Sequence, residues 1–149
     1  MRAVVQRVRS ASVRVDGEVV GAIETGLLAL VGVARGDGPE AAREIARKLV
    51  HLRVFADETG RMNLDLRAAG GALAVVSQFT LLGDARRGRR PSWSEAAAPA
   101  VAAPLVEEVA AEARRAGVRV VTGRFGAHME VALVNDGPVT VLLDTEGRF

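Results

Sequence analysis

The segment from Gly26 to Val33 constrains the fold more than any other. It reads Gly-Leu-Leu-Ala-Leu-Val-Gly-Val, a nearly continuous apolar run of strand length with no polar side to turn toward water. Such a strand has to be covered on both faces, which makes it a central strand.

The flanking segments supply the covering layers. Ser12-Val13-Arg14-Val15 alternates apolar with polar residues, Asp16-Gly17 is tight-turn chemistry, and Glu18-Val19-Val20 resumes the strand, so a hairpin opens the chain. Asp37-Gly38-Pro39-Glu40 reads as a helix start, with Asp37 or a neighbour as cap and Pro39 in the first turn. Ala41, Ile45, Leu49 and Leu52 then form one apolar stripe. A short strand at Arg53 to Ala56 precedes the turn Asp57-Glu58-Thr59-Gly60, and Ala72 to Val76 is a buried strand leading into Ser77-Gln78-Phe79-Thr80. After a basic loop between Gly83 and Pro91 comes a long alanine-rich helix, interrupted early by Pro99 and Pro104. Its inner face is Leu105, Val109 and Ala113, and Gly117 stops it. Val118 to Thr122, Met129 to Val134 and Val139 to Leu143 read as three closing strands. The order predicts one α/β domain over 1–149, with a mixed, largely antiparallel β-sheet and two main helices.

A chain of 149 residues with 49% hydrophobic content has enough apolar material for a core, and only 3% of its residues are aromatic. It has no cysteine, which excludes disulfides, thiolate nucleophiles and thiolate metal sites. No apolar run approaches the roughly 20 residues of a membrane span, and the first residues form no signal-peptide core, so a soluble cytoplasmic protein without membrane contact is expected. All but one of the twenty basic residues are arginine, whose planar donors suit phosphate, although the net charge is only +2.

His51 and His128 are the only histidines, and neither stands in a metal-binding cluster, so no metal and no other cofactor is expected. A Ser-His-Asp triad would need one of the same two residues, and both read as surface or packing residues. Ser77-Gln78-Phe79-Thr80 places two hydroxyls, an amide and a ring where a buried strand emerges, a location where α/β sheets bind ligands. It reads as a capped strand end or as a site whose backbone N–H groups form an oxyanion hole, with Phe79 as an apolar wall. Thr80 is a possible nucleophile, but no base stands near it in sequence. Asn135-Asp136-Gly137-Pro138-Val139-Thr140 reads as a turn between two strands, in which Gly137 permits close backbone approach and Pro138 makes a cis bond accessible. Arg86-Arg87-Gly88-Arg89-Arg90 is either a solvated loop or a clamp for nucleic-acid phosphates.

Taken together, Met1-Arg2-Ala3-Val4-Val5-Gln6-Arg7-Val8, Arg61-Met62-Asn63, Ser77-Gln78-Phe79-Thr80-Leu81, Gly123-x-Phe125-Gly126-Ala127-x-Met129 and Asn135-Asp136-Gly137-Pro138-Val139-Thr140 resemble the D-aminoacyl-tRNA deacylase family from end to end. The resemblance implies that family's fold and a homodimer acting on D-aminoacyl-tRNA and glycyl-tRNA, without DNA as a partner. It implies catalysis by backbone donors at Ser77, Gln78, Phe79 and Thr80, helped by the terminal ribose 2′-hydroxyl. Phe79 and Met129 would line the substrate pocket, and Arg86, Arg87, Arg89 and Arg90 would touch tRNA. Gly137 and Pro138, joined in cis, would enter the other subunit's site and leave no room for an L side chain. Three positions depart from the family pattern: His128 often has an acidic counterpart, Trp93 is usually phenylalanine, and Leu82-Gly83 replaces a more polar or aromatic pair. Two rival readings stay open: a hydrolase with Thr80 as covalent nucleophile, and a non-enzymatic RNA-binding module built on the arginine loop.

Overall fold

The computed structural model describes residues 1–148. Its first strand, β1 (Arg2–Val15), turns through Asp16 (φ 50°) and Gly17 (φ 81°) into β2 (Glu18–Ile23), the positive-φ pair that suits strand twist. β3 (Gly26–Gly32) pairs antiparallel with the first half of β1 and parallel with β6 (Ala72–Ser77), which in turn pairs parallel with β7 (Val120–Thr122). The sheet order is β2-β1-β3-β6-β7, with β8 (Glu130–Asp144) on the other side of β1. A separate small hairpin joins β4 (Phe55–Ala56) to β5 (Met62–Leu64), so the strand expected over Arg53 to Ala56 is only two residues long. The mixed, largely antiparallel sheet with two helices is as expected.

Helices α1 (Pro39–His51) and α2 (Pro99–Arg115) make the crossovers between the parallel strands and share one core with β3. Leu27, Ala29 and Val31 face that core while Leu28 faces a second one, so β3 is covered on both sides. β1 serves both cores by changing phase. Ala3 and Val5 point to the helices and Val8, by ordinary alternation, to the second cluster; Ala11 and Val13 point there too, so the alternation breaks between Val8 and Ala11, where the pairing with β8 also shifts. A one-residue slip swaps the faces of a strand, and irregular pairing makes the swap possible.

Three local expectations change or are narrowed. Asn135 to Thr140 is no turn between strands: both of its flanks pair with β1, so β8 is a single strand. From Gln6↔Thr140 to Val8↔Asn135, β1 advances two residues and β8 five, and the surplus bulges out. The cap of α1 falls to the neighbouring Gly38, as the wider expectation allowed and without a side-chain bond, and not to Asp37. Its carboxylate instead accepts the Met1 ammonium at 2.7 Å and the Ala34 N–H at 2.6 Å. α2 runs unbroken through Pro104, which lies on its exposed side, while Pro99 occupies the first turn, where no intrahelical bond is lost.

Along α1, Ile45 and Leu49 are fully buried as the stripe predicts, with Ala42, Ala46 and Val50 beside them, but Ala41 and Leu52 are only half-buried. Leu49→Ala should therefore cost about 2–5 kcal/mol in chemical denaturation. Leu52→Ala should cost about 1 kcal/mol or less. Equal losses would contradict this placement of the helix.

Candidate active site

The site begins where β3 and β6 end side by side. Val31 pairs with Ser77, and the next residue, Gln78, donates its N–H to the Val31 carbonyl at 2.7 Å. The chain then folds into a 3₁₀ turn, Phe79–Leu82, lying directly on the end of β3. Gly32 makes that possible: a Cβ there would stand 2.8 Å from the Gln78 carbonyl oxygen and 2.6 Å from Leu82 Cδ2. Phe79 and Thr80 head the turn, where N–H groups have no intrahelical acceptor. Among the described residues neither donates to another carbonyl.

Beside this turn lies a pocket of about 540 Å³. Val31, Val76 and Val131 form its apolar floor, α2 contributes Pro99 and Ala102, and the Phe125–Met129 segment closes the far side. Met129 fits because Gly123 carries no side chain, since a Cβ there would meet its sulfur at 2.5 Å. His128 is the one titratable residue on the lining. Two other depressions, of about 500 and 620 Å³, are bordered largely by charged or loop residues away from these segments.

Ser77, Gln78, Phe79 and Met129 thus come together as expected, but the Gln78 N–H is not the free oxyanion donor that was expected, because the Val31 carbonyl takes it. Thr80 does not line the pocket: its exposed hydroxyl accepts a hydrogen bond from Gln78 Nε2, and no carboxylate or imidazole among the described residues bonds to it. Gly137 and Pro138 do not reach the pocket within one chain. They are exposed on the β8 bulge, joined by a cis peptide, with Gly137 at φ 138°.

Arg7, which sequence reasoning did not single out, holds that bulge. Its Nε donates to the Asp136 carbonyl at 3.1 Å and lies 3.4 Å from the Asp136 carboxylate, and its guanidinium also donates to the Val54 carbonyl. The available signal was a charged residue at position 7, where the alternation of Ala3 and Val5 calls for an apolar one.

The basic loop is a closed hairpin, with Asp84 and Ser92 exchanging backbone hydrogen bonds of 2.8 and 2.9 Å. Arg86 grips Asp84 through Nε at 2.9 Å and a terminal nitrogen at 2.7 Å. Arg87, Arg89 and Arg90 are exposed, and no ion pair engages them among the described residues. Only three of the four expected phosphate contacts are therefore uncommitted. The Arg86 side-chain bonds, then its backbone N–H, hold the Asp84 carboxyl at about 2 instead of 3.8. Folding lowers this pKa, so the pair's support of the loop is complete above pH 3.8 and is lost as pH falls through about 2. Carboxyl NMR should show Asp84 titrating near 2, whereas a midpoint at the ordinary value would mean the pair does not form.

A sequence profile for the family described as D-Tyr-tRNA(Tyr) deacylase matches residues 4–144. The chain is 63% identical to a D-aminoacyl-tRNA deacylase of Roseiflexus sp. (strain RS-1), over 97% of this chain and 94% of that protein. It is 54% identical to one of Thermosipho africanus (strain TCF52B) over the full length of both. Among solved structures, one described as a c-Myc DNA unwinding element binding protein superposes with TM-score 0.91 at 36% identity, covering 97% of this chain and 99% of that one. A probable eukaryotic D-amino acid tRNA deacylase shares the fold, with TM-score 0.81 at 19% identity over 95% and 97% of the two chains. The chain belongs to the D-aminoacyl-tRNA deacylase family, hydrolases that act on the ester bond of aminoacyl-tRNA.

Proposed function

We propose that the pocket beside Ser77 to Phe79 receives the terminal aminoacyl-adenosine of tRNA, and that Gly137 and Pro138 of a second copy complete it. The observation that carries this reading is the separation of the two motifs. The pocket and the Gly137–Pro138 bulge lie apart in one chain, yet the bulge is exposed on β8, which pairs only with β1 among the described strands. β8 also exposes Leu133, Val134 and Leu142, an apolar edge suited to a partner subunit. A homodimer placing each bulge over the other pocket would bring two backbone carbonyls against the substrate's α-carbon. An L side chain would then clash, while a D side chain or the hydrogen of glycine would fit. Glycyl-tRNA, including glycine mischarged on the alanine tRNA, is thus a second substrate.

An aminoacyl ester is already activated, so the chain has to position it and stabilise the oxyanion. Water adds to the carbonyl carbon, the N–H groups at the head of the 3₁₀ turn receive the developing negative charge, and the carbon–oxygen bond to the ribose breaks. The proton lost by water ends on the departing 3′-oxygen, relayed by the neighbouring 2′-hydroxyl. Thr80 is not the nucleophile in this scheme, which its bond from Gln78 and the lack of a bonded base support. Phe79 and Met129 supply apolar walls for the adenosine. The uncommitted arginines, Arg87, Arg89 and Arg90, touch tRNA phosphates, with Arg86 chiefly shaping their loop. Such an enzyme works where charged tRNA is found, in the cytoplasm. No helix among the described residues is long and apolar enough to cross a membrane.

Single-turnover deacylation of matched D-, L- and glycyl-tRNA by the wild type and Thr80→Ala tests this reading. The wild type should hydrolyse the D and glycyl esters and spare the L ester, and Thr80→Ala should keep activity within about tenfold. A loss of about 10³-fold, roughly 4 kcal/mol of transition-state stabilisation, would make Thr80 the nucleophile or an essential proton donor. Binding of tRNA without hydrolysis would favour a plain RNA-binding module.

A further inference from the structure

The placement of the aromatic residues goes beyond what the pocket requires. The chain has four phenylalanines, one tryptophan and no tyrosine. Of the four aromatic residues described, only Phe55 is in the core; Phe79, Trp93 and Phe125 are 56%, 41% and 41% exposed. Phe79 and Phe125 stand on the pocket lining, and Trp93 packs edge-on against Phe79, with ring centroids 5.5 Å apart and planes at 75°. A protein that builds its core from valine, leucine and alanine has therefore left its large rings at one opening, where exposed apolar area marks a binding surface.

Trp93 is also held in place. Gly83 lies beneath it, and a Cβ at that position would stand 2.5 Å from indole Cζ3, so the absent side chain lets the ring lie on the backbone. The Trp93 carbonyl accepts the Ala96 N–H at 3.0 Å, and Ala96 forms part of the pocket wall. The preceding residue, Ser92, closes the hairpin that carries Arg87, Arg89 and Arg90. A ring backed by glycine, braced by a second ring and neighbouring uncommitted guanidinium groups combines the two elements that bind single-stranded nucleic acid: a stacking surface and positive charge along the backbone.

We infer that Trp93 is the stacking platform for an unpaired nucleotide adjoining the terminal adenosine, with Arg87, Arg89 and Arg90 holding its phosphates. This rests on the proposed reading that the neighbouring pocket holds the terminal adenosine. It adds a binding site for the single-stranded stretch of the RNA, outside the pocket. Duplex RNA offers the arginines its phosphates but no free base face, so the two parts of the surface are separable.

Because Trp93 is the only tryptophan and tyrosine is absent, its emission reports directly on the proposed contact. A short single-stranded RNA ending in adenosine should quench that emission saturably at fixed salt, whereas a blunt duplex with the same number of phosphates should leave it unchanged. Trp93→Ala should bind the single strand roughly tenfold to a hundredfold more weakly, and Trp93→Phe, which keeps a stacking ring, should recover most of the loss. Labelled-RNA anisotropy measures binding independently of the tryptophan. Equal affinity in Trp93→Ala, or unchanged emission at RNA concentrations where anisotropy shows saturation, would overturn the inference. Either result alongside intact hydrolysis of D-aminoacyl-tRNA removes the platform alone, while failure of the wild type to hydrolyse that substrate removes the reading of the pocket.

Discussion

The contact between β3 and β6 is the constraint on which the remaining structure depends. The two strands run parallel and lie so close at both ends of β3 that only glycine fits there. A Cβ at Gly26 would fall 1.9 Å from the Ala72 carbonyl oxygen, and one at Gly32 would fall 2.8 Å from that of Gln78. Parallel neighbours need a crossover, which brings α1 over one face of the sheet, and the next crossover lays α2 beside it. At the carboxyl ends the same contact seats the 3₁₀ turn and puts Ser77, Gln78 and Phe79 on the pocket wall. Core and site thus share one interface.

β1 extends that logic to the opposite edge. A 14-residue strand that must face the helices with Ala3 and Val5, then the second cluster with Ala11 and Val13, cannot keep regular pairing throughout. Its irregular stretch lies opposite the β8 bulge that carries Gly137 and Pro138, and Arg7 crosses between them to the Asp136 carbonyl. The phase change that lets one strand feed two cores therefore falls just past the point where β8 bulges outward, at the shift between Val8 and Ser10. Arg7 is largely buried, with 14% of its side chain exposed, and its donors end on backbone carbonyls and the Asp136 carboxylate, so its charge is paired where water is scarce.

Elements set by local chemistry were legible in the sequence. The Gly26 to Val33 run, the Asp16-Gly17 turn, the buried face of α1 around Ile45 and Leu49, and the polar exit from β6 are each fixed by residues close in the chain. Features that depend on distant partners were not. Asn135 to Pro138 has turn composition, and only the pairing of both flanks with β1 makes it a bulge. Asp37 has the composition of a cap, but the Met1 ammonium and the Ala34 N–H compete for it. Arg7 and the Asp84–Arg86 pair are ordinary charges in sequence and gain their roles from what they touch. Within the site, Ser77, Gln78, Phe79 and Met129 were foreseen together, whereas the part of Gly123 in making room for Met129 depends on packing between residues of different elements.

The central claim is that one chain carries two halves of a site that meet only between copies. The direct test is complementation between a subunit with Gly137→Val and an intact pocket, and a subunit with Phe79→Ala and an intact bulge, purified together through two different tags. Each homodimer should be inactive on D-aminoacyl-tRNA, and the mixed dimer should regain about half of the wild-type rate, because a two-fold assembly leaves one of its two sites with both halves intact. A mixed dimer no more active than its parents, or a monomer that retains full D-over-L selectivity, would contradict the claim.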